Sequence, residues 1–196
     1  MEKSKTRIVI IDDELPSRHP LIIKLQQGFE SVVLFKKASE AIKMLKEHLG
    51  EKTILILDMK LSGNEDGHRA LSELRELSYQ IPVIVWTGVS EDGSEFFDLI
   101  NLKTYAIRDK TTKIEEMATL VQKTDTDIEY SLSNALEKWL VSQPGDHDAP
   151  YLISTGGKSY SLNDILNEVR KDTPQGREFT QSLVNLTIEL MAKENE

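Results

Sequence analysis

Five short apolar runs, each followed by a polar turn or a helical pattern, constrain the fold of this chain more than any other feature. The runs are RIVII, VVLF, TILIL, VIVW and the shorter YAI, at residues 7–11, 32–35, 53–57, 83–86 and 105–107. Continuous runs rich in Val, Ile and Leu are typical of strands that are buried on both faces. Between them, apolar residues recur at helical spacing, with a weaker helix predicted around Phe96, Phe97, Leu99 and Ile100. The alternation predicts an α/β fold with a five-stranded, doubly wound parallel sheet.

Polar and charged side chains follow the predicted strands, at the points where the strands end. These residues are Asp12, Asp13 and Glu14 after the first strand, Asp58 after the third, Thr87 after the fourth, and Arg108, Asp109 and Lys110 after the fifth. In an open parallel sheet, ligands bind outside the carboxyl ends of the strands. Carboxylates that converge there repel each other unless a cation neutralises them, and their oxygens suit Mg²⁺. A hydroxyl and an ammonium group nearby are what a phosphoryl group on one carboxylate requires.

These motifs resemble the receiver domains of two-component response regulators, the CheY-like family. The resemblance extends from residue 6 to about residue 122 and rests on three motifs, RIVIIDDE, ILILDMKLSGNEDG and VIVWTG. It implies a flavodoxin-like fold and a phospho-accepting signalling domain. Such a domain is not an enzyme beyond its own phosphorylation and dephosphorylation. The partners implied are a cognate histidine kinase or phosphotransfer protein and an output protein that the sequence does not identify.

The resemblance assigns a role to each residue that matches a family motif. Asp58 would accept the phosphoryl group and bind Mg²⁺. Asp13 would bind the metal directly, Asp12 through a water molecule, and Lys60 through its backbone carbonyl. Thr87 would donate a hydrogen bond to one phosphoryl oxygen, and Lys110 would pair with another.

The sequence also departs from the family pattern. Leu61 stands where proline is usual, and Gly88 follows the threonine where alanine is usual. An aromatic residue commonly stands three positions before the lysine, whereas Ile107 is found three before Lys110. If Tyr105 were that aromatic residue, Arg108 would take the place of the lysine. These departures also leave open a pseudo-receiver, a scaffold or adaptor that works without phosphorylation.

Composition narrows the function classes. The net charge of −9 argues against a protein whose main task is to bind a phosphate backbone, so nucleic acid is not an expected partner. The absence of cysteine excludes disulfides and thiolate chemistry. No apolar run approaches the roughly 20 residues of a membrane span, and no signal-peptide pattern is present, so a cytoplasmic location without membrane association is expected. The four histidines lack metal-ligand spacing and are expected at the surface.

Four segments are predicted along the chain. A receiver domain occupies residues 1–122, a helical extension residues 123–142, a linker residues 143–150, and a small, mostly helical module with a possible hairpin residues 151–196. Residues 146–196 contain five Lys or Arg and nine Asp or Glu, a net charge of −4, which disfavours a DNA-reading output. The module is therefore predicted to act through protein–protein interaction, and the sequence leaves room for a homodimer.

Overall fold

The computed structural model describes residues 2–63, 66–88, 99–129, 131–154 and 156–193, with side chains described up to residue 185. The chain divides into two compact units, residues 1–128 and residues 129–196, which we call the first and second units. The first unit is built on a five-stranded parallel sheet with the strand order β2-β1-β3-β4-β5. Its strands are β1 (Ser4–Ile11), β2 (Phe29–Phe35), β3 (Thr53–Leu57), β4 (Val83–Thr87) and β5 (Ala106–Asp109). The predicted α/β fold is confirmed.

The strand sequences explain why both faces of the sheet are covered. Successive residues of a strand point to opposite faces, so a continuous apolar run supplies two cores. Along β1, Val9 and Ile11 join one hydrophobic cluster, whereas Ile8 and Ile10 join the other. The same alternation runs along β3 and β4, where every residue is buried.

Helices complete each core. The helices of the first unit are α1 (Pro20–Gly28), α2 (Ala38–Glu47), α3 (Gly67–Leu77) and α4 (Ile114–Glu129). Residues of α2 and α3 belong to the cluster of Val9, and residues of α1 and α4 belong to the cluster of Ile8. Of the weaker helix predicted before β5, Leu99 is buried in a helical stretch at residues 99–101, whereas Phe96 and Phe97 lie outside the described residues.

The end of the first unit lies beyond the predicted boundary at residue 122. Helix α4 continues through the polar segment KTDTD, because these side chains have partners within the first unit. Thr124 is fully buried and donates to the Leu120 carbonyl at 2.8 Å. Asp125 accepts a hydrogen bond from Thr6, and Asp127 accepts one from Tyr105. Segment 123–128 is therefore part of the first unit and not of a helical extension.

The second unit has its own hydrophobic core. It contains helix α5 (Leu132–Ser142), the antiparallel hairpin of β6 (Pro150–Ile153) and β7 (Ser159–Ser161), and helices α6 (Leu162–Arg170) and α7 (Pro174–Lys193). The buried core residues are Leu136, Leu140, Tyr160, Leu162, Ile165, Leu166 and Val169. The possible hairpin predicted within residues 151–196 is present, formed by β6 and β7. Ser161 caps α6 in a reciprocal capping box with Asp164, and the Thr173 hydroxyl accepts from the Gly176 N–H at 3.0 Å, capping α7.

Residues 143–150 connect two parts of the second unit and do not link two domains. Leu136 and Leu140 of α5, before this segment, pack in the same core as α6, after it. The segment itself is bound to α6, since the Asn163 N–H donates to the His147 carbonyl at 3.1 Å and the Asn163 amide donates to Asp148 at 2.8 Å. The break between units therefore falls near residue 129, ahead of the predicted linker. Within the described part of the chain, no helix has the length and apolar character needed to cross a membrane.

Candidate functional site

The loop after β1 places Asp12 at the carboxyl edge of the sheet. Asp12 is 1% exposed, and its Oδ1 accepts hydrogen bonds from the backbone N–H groups of Glu14 at 3.0 Å and Leu15 at 2.8 Å. Its other oxygen, Oδ2, accepts a hydrogen bond from the Lys110 ammonium. Both oxygens of this carboxylate are therefore engaged by the protein.

Asp58 follows β3 directly and faces the same edge. Its backbone N–H donates to the Ile11 carbonyl at 2.9 Å, so the strand pairing of β1 and β3 continues up to the candidate site. Its carboxylate Oδ1 accepts from the Lys60 N–H at 3.1 Å, and its Oδ2 lies 3.1 Å from the Lys110 nitrogen. Only 6% of Asp58 is exposed, which restricts access to this carboxylate.

Asp13 supplies the third carboxylate and the one incompletely satisfied oxygen of the group. Its Oδ2 accepts from the Ser62 N–H at 3.2 Å, and hydrogen bonding from Ser62 lowers the pKa of Asp13. Its Oδ1 is buried and has no hydrogen-bond partner among the residues that the structure describes. Such an atom costs free energy unless a ligand satisfies it.

Asp12, Asp13 and Asp58 each bring one oxygen to within 4.8 Å of the others. This separation lets a single ion contact more than one of them, and oxygen donors suit Mg²⁺. The unpartnered Oδ1 of Asp13 is an open ligand position of the kind that a resident cation would fill. The residues present therefore fit a Mg²⁺ ion.

The structure distinguishes the two candidates for the phosphate-pairing cation. Lys110 contacts both Asp12 and Asp58. Arg108 is exposed, and its guanidinium donates to the Ile107 carbonyl at 2.7 Å. Burial lowers the pKa of Lys110, but hydrogen bonds and charges from the two aspartates outweigh burial, so the net pKa is raised and the ammonium stays protonated. Lys110, and not Arg108, is the cation at the acidic cluster.

Thr87 ends β4 and is 2% exposed. Its backbone carbonyl accepts from the Lys110 N–H at 3.1 Å, which holds the ends of β4 and β5 together. The two candidate aromatic positions are occupied differently: Ile107 packs against a core cluster, and the Tyr105 hydroxyl bonds to Asp127 and to Lys123. Tyr105 immediately precedes β5 and is tied to α4 by these bonds.

A tryptophan, a histidine and a lysine beside the acidic cluster were not expected to interact. The Trp86 ring lies under the Lys110 ammonium, 5.0 Å from the ring centroid, and its Nε1 donates to the Asp109 carbonyl at 3.1 Å. His19 packs edge-on against Trp86 at 5.7 Å and caps α1 by accepting from the Leu21 N–H. His19 was predicted to be a surface residue but is partly buried, and burial lowers its pKa. No sequence motif indicates these contacts, since they join residues on or beside three different elements, β4, β5 and α1.

Lys36 is a second residue that the sequence motifs do not indicate. It follows β2 and donates to the backbone carbonyls of Asp12 and Asp13 at 3.3 and 3.0 Å. The signal that could have revealed it is positional, because β2 lies beside β1 in the sheet and the residue after β2 therefore adjoins the loop after β1.

Gly67 begins α3 against the backbone of the Asp58 loop. A Cβ atom at this position would lie 2.4 Å from the Met59 Cα and 2.7 Å from the Asp58 carbonyl oxygen. Only glycine permits this approach without displacing the backbone that carries Asp58. The helix itself is capped by Asp66, whose side chain accepts from the His68 N–H.

Solved structures with the same fold support the comparison of the first unit with known domains. A CheY-like response regulator receiver domain protein from Methanospirillum hungatei JF-1 has a TM-score of 0.57 and 20% identity, over 64% of this chain and 98% of its own. The response regulator domain of Thermotoga maritima CheB has a TM-score of 0.52 and 18% identity, over 65% of this chain and 99% of its own. The receiver domain of a putative Luxo repressor protein from Vibrio parahaemolyticus has a TM-score of 0.54 and 16% identity, over 72% of this chain and 100% of its own. At these identities the likeness shows the fold.

Comparison of the sequence with known protein families identifies the family to which the chain belongs. No curated protein sequence matches the chain significantly. The family model described as the response regulator receiver domain matches residues 8–128, which includes the second half of β1 and all of β2 to β5 and ends at the boundary of the first unit. The chain therefore belongs to the response regulator receiver domain family.

Proposed function

We propose that this protein is a two-component response regulator in which Asp58 accepts a phosphoryl group in a Mg²⁺-dependent reaction. The observation that carries the proposal is the joint placement of Asp12, Asp13 and Asp58, with oxygens within 4.8 Å of one another and Lys110 bridging two of them. The donor class is a phosphohistidine on a histidine kinase or phosphotransfer protein, as membership of the family implies.

In the proposed transfer, a carboxylate oxygen of Asp58 forms a bond to phosphorus while the phosphorus–nitrogen bond of the donor breaks. The donor imidazole leaves with the electron pair of that bond, and Asp58 becomes an acyl phosphate. Asp13 and Asp58 would hold Mg²⁺ directly, Asp12 through water, and Lys60 through its backbone carbonyl. When bound, Mg²⁺ neutralises charge on the carboxylates and on the phosphoryl oxygens.

Lys110 and Thr87 would respond to the new group. Lys110 is already shared between Asp12 and Asp58, and a phosphoryl group on Asp58 offers it an oxygen with greater negative charge. Thr87, next to it at the end of β4, would donate its hydroxyl to another phosphoryl oxygen. Converting a two-state domain from 1:99 to 99:1 requires about 5.5 kcal/mol, so close contacts of this kind are needed for switching.

The output is proposed to be protein–protein interaction. The second unit contains six Lys or Arg and eleven Asp or Glu, a balance that is unfavourable for binding a nucleic acid. It also exposes large apolar side chains, including Trp139 at 41%, Val141 at 54% and Ile153 at 73%. Exposed apolar side chains that form a contiguous surface patch commonly mark binding surfaces for other proteins.

The test of the proposal is incubation of the protein with Mg²⁺ and acetyl phosphate, followed by measurement of the intact mass. We expect a mass increase of one phosphoryl group that requires Mg²⁺. The alternative is a pseudo-receiver that acts without phosphorylation, and the observations that favour it are Leu61 and Ile107, where the family usually has proline and an aromatic residue. Unchanged mass under these conditions, with the protein folded, would favour the pseudo-receiver.

A further inference from the structure

The ammonium group of Lys36 is bound by three backbone carbonyls of the loop that carries the acidic residues. It donates to the carbonyl of Asp12 at 3.3 Å, to that of Asp13 at 3.0 Å, and to that of Leu15 at close range. A lysine ammonium has three N–H donors, so this loop uses all of them. The carbonyls of Asp12, Asp13 and Leu15 can all accept from this one nitrogen only if the loop folds around it.

We propose that Lys36 is a positioning residue for the Mg²⁺ site, which fixes the loop after β1 so that the Asp13 carboxylate faces Asp58. This inference rests on the proposed function of the acidic cluster. Asp13 is the residue concerned, because its carbonyl is held by Lys36 and its carboxylate carries the buried Oδ1 that lacks a partner among the described residues. Residues that orient metal ligands without touching the metal typically change metal affinity when they are removed.

Other contacts hold Asp12 more firmly than Asp13. The Asp12 N–H donates to the Phe35 carbonyl at 3.1 Å, and the Asp12 side chain accepts from the N–H groups of Glu14 and Leu15. The described contacts of Asp13 with residues outside its loop are Ser62 at its carboxylate and Lys36 at its carbonyl. Without Lys36, the described contact of Asp13 outside its own loop is with Ser62. That contact is made by the carboxylate, which is also the group that would bind the metal.

The charge of Lys36 acts in the opposite direction from its hydrogen bonds. A positive charge near the cluster repels a divalent cation. If Lys36 acted through charge alone, its removal would strengthen Mg²⁺ binding. If it acts by positioning, its removal weakens Mg²⁺ binding. The sign of the change therefore distinguishes the two roles.

The experiment compares Lys36→Met with Lys37→Met in the full-length chain. Lys37 is the adjacent exposed lysine and lies 3.8 Å from Glu40 across the first turn of α2, so its replacement removes the same charge without touching the loop. Mg²⁺ alone is titrated and Trp86 emission is recorded, with Trp139→Phe as the background in every variant so that a single tryptophan reports. Thermal unfolding without Mg²⁺ is measured in parallel.

We expect Lys36→Met to weaken Mg²⁺ binding about 10-fold, Lys37→Met less than about 2-fold, and the Mg²⁺-free unfolding temperature to change little. Lys36→Gln retains N–H donors without the charge, so its Mg²⁺ affinity should lie between those of Lys36→Met and the parent. With Mg²⁺ saturating, the rate of labelling by acetyl phosphate should stay within about 2-fold of the parent, because the positioned ligands are then occupied.

Equal or tighter Mg²⁺ binding by Lys36→Met would overturn the positioning role while leaving the proposed function intact. If Lys36→Met does not fold, the Lys36→Gln affinity decides the question, and parental affinity or tighter binding there would overturn the role as well. If the parent protein does not respond to Mg²⁺ at all, the proposed function fails first, and the role of Lys36 fails with it.

Discussion

The ammonium nitrogen of Lys110 lies 3.1 Å from Oδ2 of Asp58, and the same ammonium donates to Asp12. Lys110 follows β5 and Asp58 follows β3, with β4 between these strands in the sheet. The contact therefore spans two strand spacings, which the length of a lysine side chain permits. In the proposed function, this position would let the Lys110 ammonium exchange a carboxylate for a phosphoryl oxygen.

This relationship predicts different effects for two neighbouring basic residues. Lys110→Met should reduce the rate of labelling by acetyl phosphate by roughly 10- to 100-fold, since it removes a cation that stabilises charge on the transferred oxygens. Arg108→Met is the matched control and should change the rate less than about 2-fold, because its guanidinium bonds to a local carbonyl. Initial rates of mass increase measure both. Equal losses for the two variants would contradict the assignment of Lys110.

The second prediction concerns the division of roles between the two adjacent aspartates. Asp13→Asn should weaken Mg²⁺ binding more than about 10-fold, because Oδ1 of Asp13 is the oxygen available to the ion. Asp12→Asn should have the smaller effect, because protein donors already occupy both oxygens of Asp12. Mg²⁺ titration of Trp86 emission checks this, again with Trp139→Phe as the background. Equal losses would count against the division.

The sheet and the positions of Asp12, Asp13 and Asp58 could be predicted because each depends on a local signal. A β-branched run followed by an aspartate determines both the strand and the residue at its carboxyl end, and β3 ends at Leu57 as predicted, with Asp58 next. The sequence could narrow the phosphate-pairing cation only to two residues, Arg108 and Lys110, since both stand at or just after the end of the same short strand. Which of the two reaches past the end of β4 to Asp58 depends on the tertiary structure, and that residue is Lys110.

Contacts that depend on side chains reaching backbone carbonyls could not be predicted. Lys36 has the sequence signature of any surface lysine, yet it binds three carbonyls of a neighbouring loop. Arg75 is similar: it is 3% exposed and donates to four carbonyls, including those of Ser78 and Ile81 beside its helix end. Burial lowers the pKa of Arg75 to about 10. An amphipathic pattern identifies which face of a helix is buried, but it does not predict hydrogen bonds from a buried arginine to backbone carbonyls.

The boundary of the first unit was misplaced for a related reason. Polar residues at 123–127 indicate a break in a helix when only local pattern is available, whereas Thr124 is buried and Asp125 and Asp127 bond to other parts of the first unit. Proline and glycine at 143–150 likewise indicate a linker. They mark a turn inside the second unit, because the partners of α5 follow that turn.

The third prediction uses this boundary. A fragment of residues 1–128 should fold and accept phosphate like the full chain, because its core and its acidic cluster lie within the first unit. A fragment of residues 1–122 should unfold at a lower temperature, because it lacks Thr124 and the partners of Thr6 and Tyr105. The loss of the buried Thr124 and of the hydrogen bond made by Thr6 should cost about 1–3 kcal/mol. Thermal unfolding by circular dichroism measures the difference, and identical curves would contradict the boundary.

The fourth prediction concerns the second unit alone. A Cβ atom at Gly176 would lie 2.1 Å from the Glu168 carbonyl oxygen, so Gly176→Ala should force α7 away from α6 and cost about 1–3 kcal/mol. At Gly156 the nearest atom would be 4.0 Å away, so Gly156→Ala is the matched control. Chemical denaturation monitored by Trp139 emission, with Trp86→Phe as the background, reports on the second unit. Labelling of Asp58 should be unaffected by either change, and a defect in labelling would show an unexpected dependence of the site on α7.

The measurement that tests the central claim most directly identifies the modified residue. After incubation with Mg²⁺ and acetyl phosphate, borohydride reduces an aspartyl phosphate to homoserine, and peptide mass analysis then identifies the altered position. We predict conversion at Asp58 alone, dependent on Mg²⁺ and absent in Asp58→Asn, because an amide is a far poorer nucleophile than a carboxylate. Conversion at Asp12 or Asp13, or labelling that persists in folded Asp58→Asn, would contradict the account.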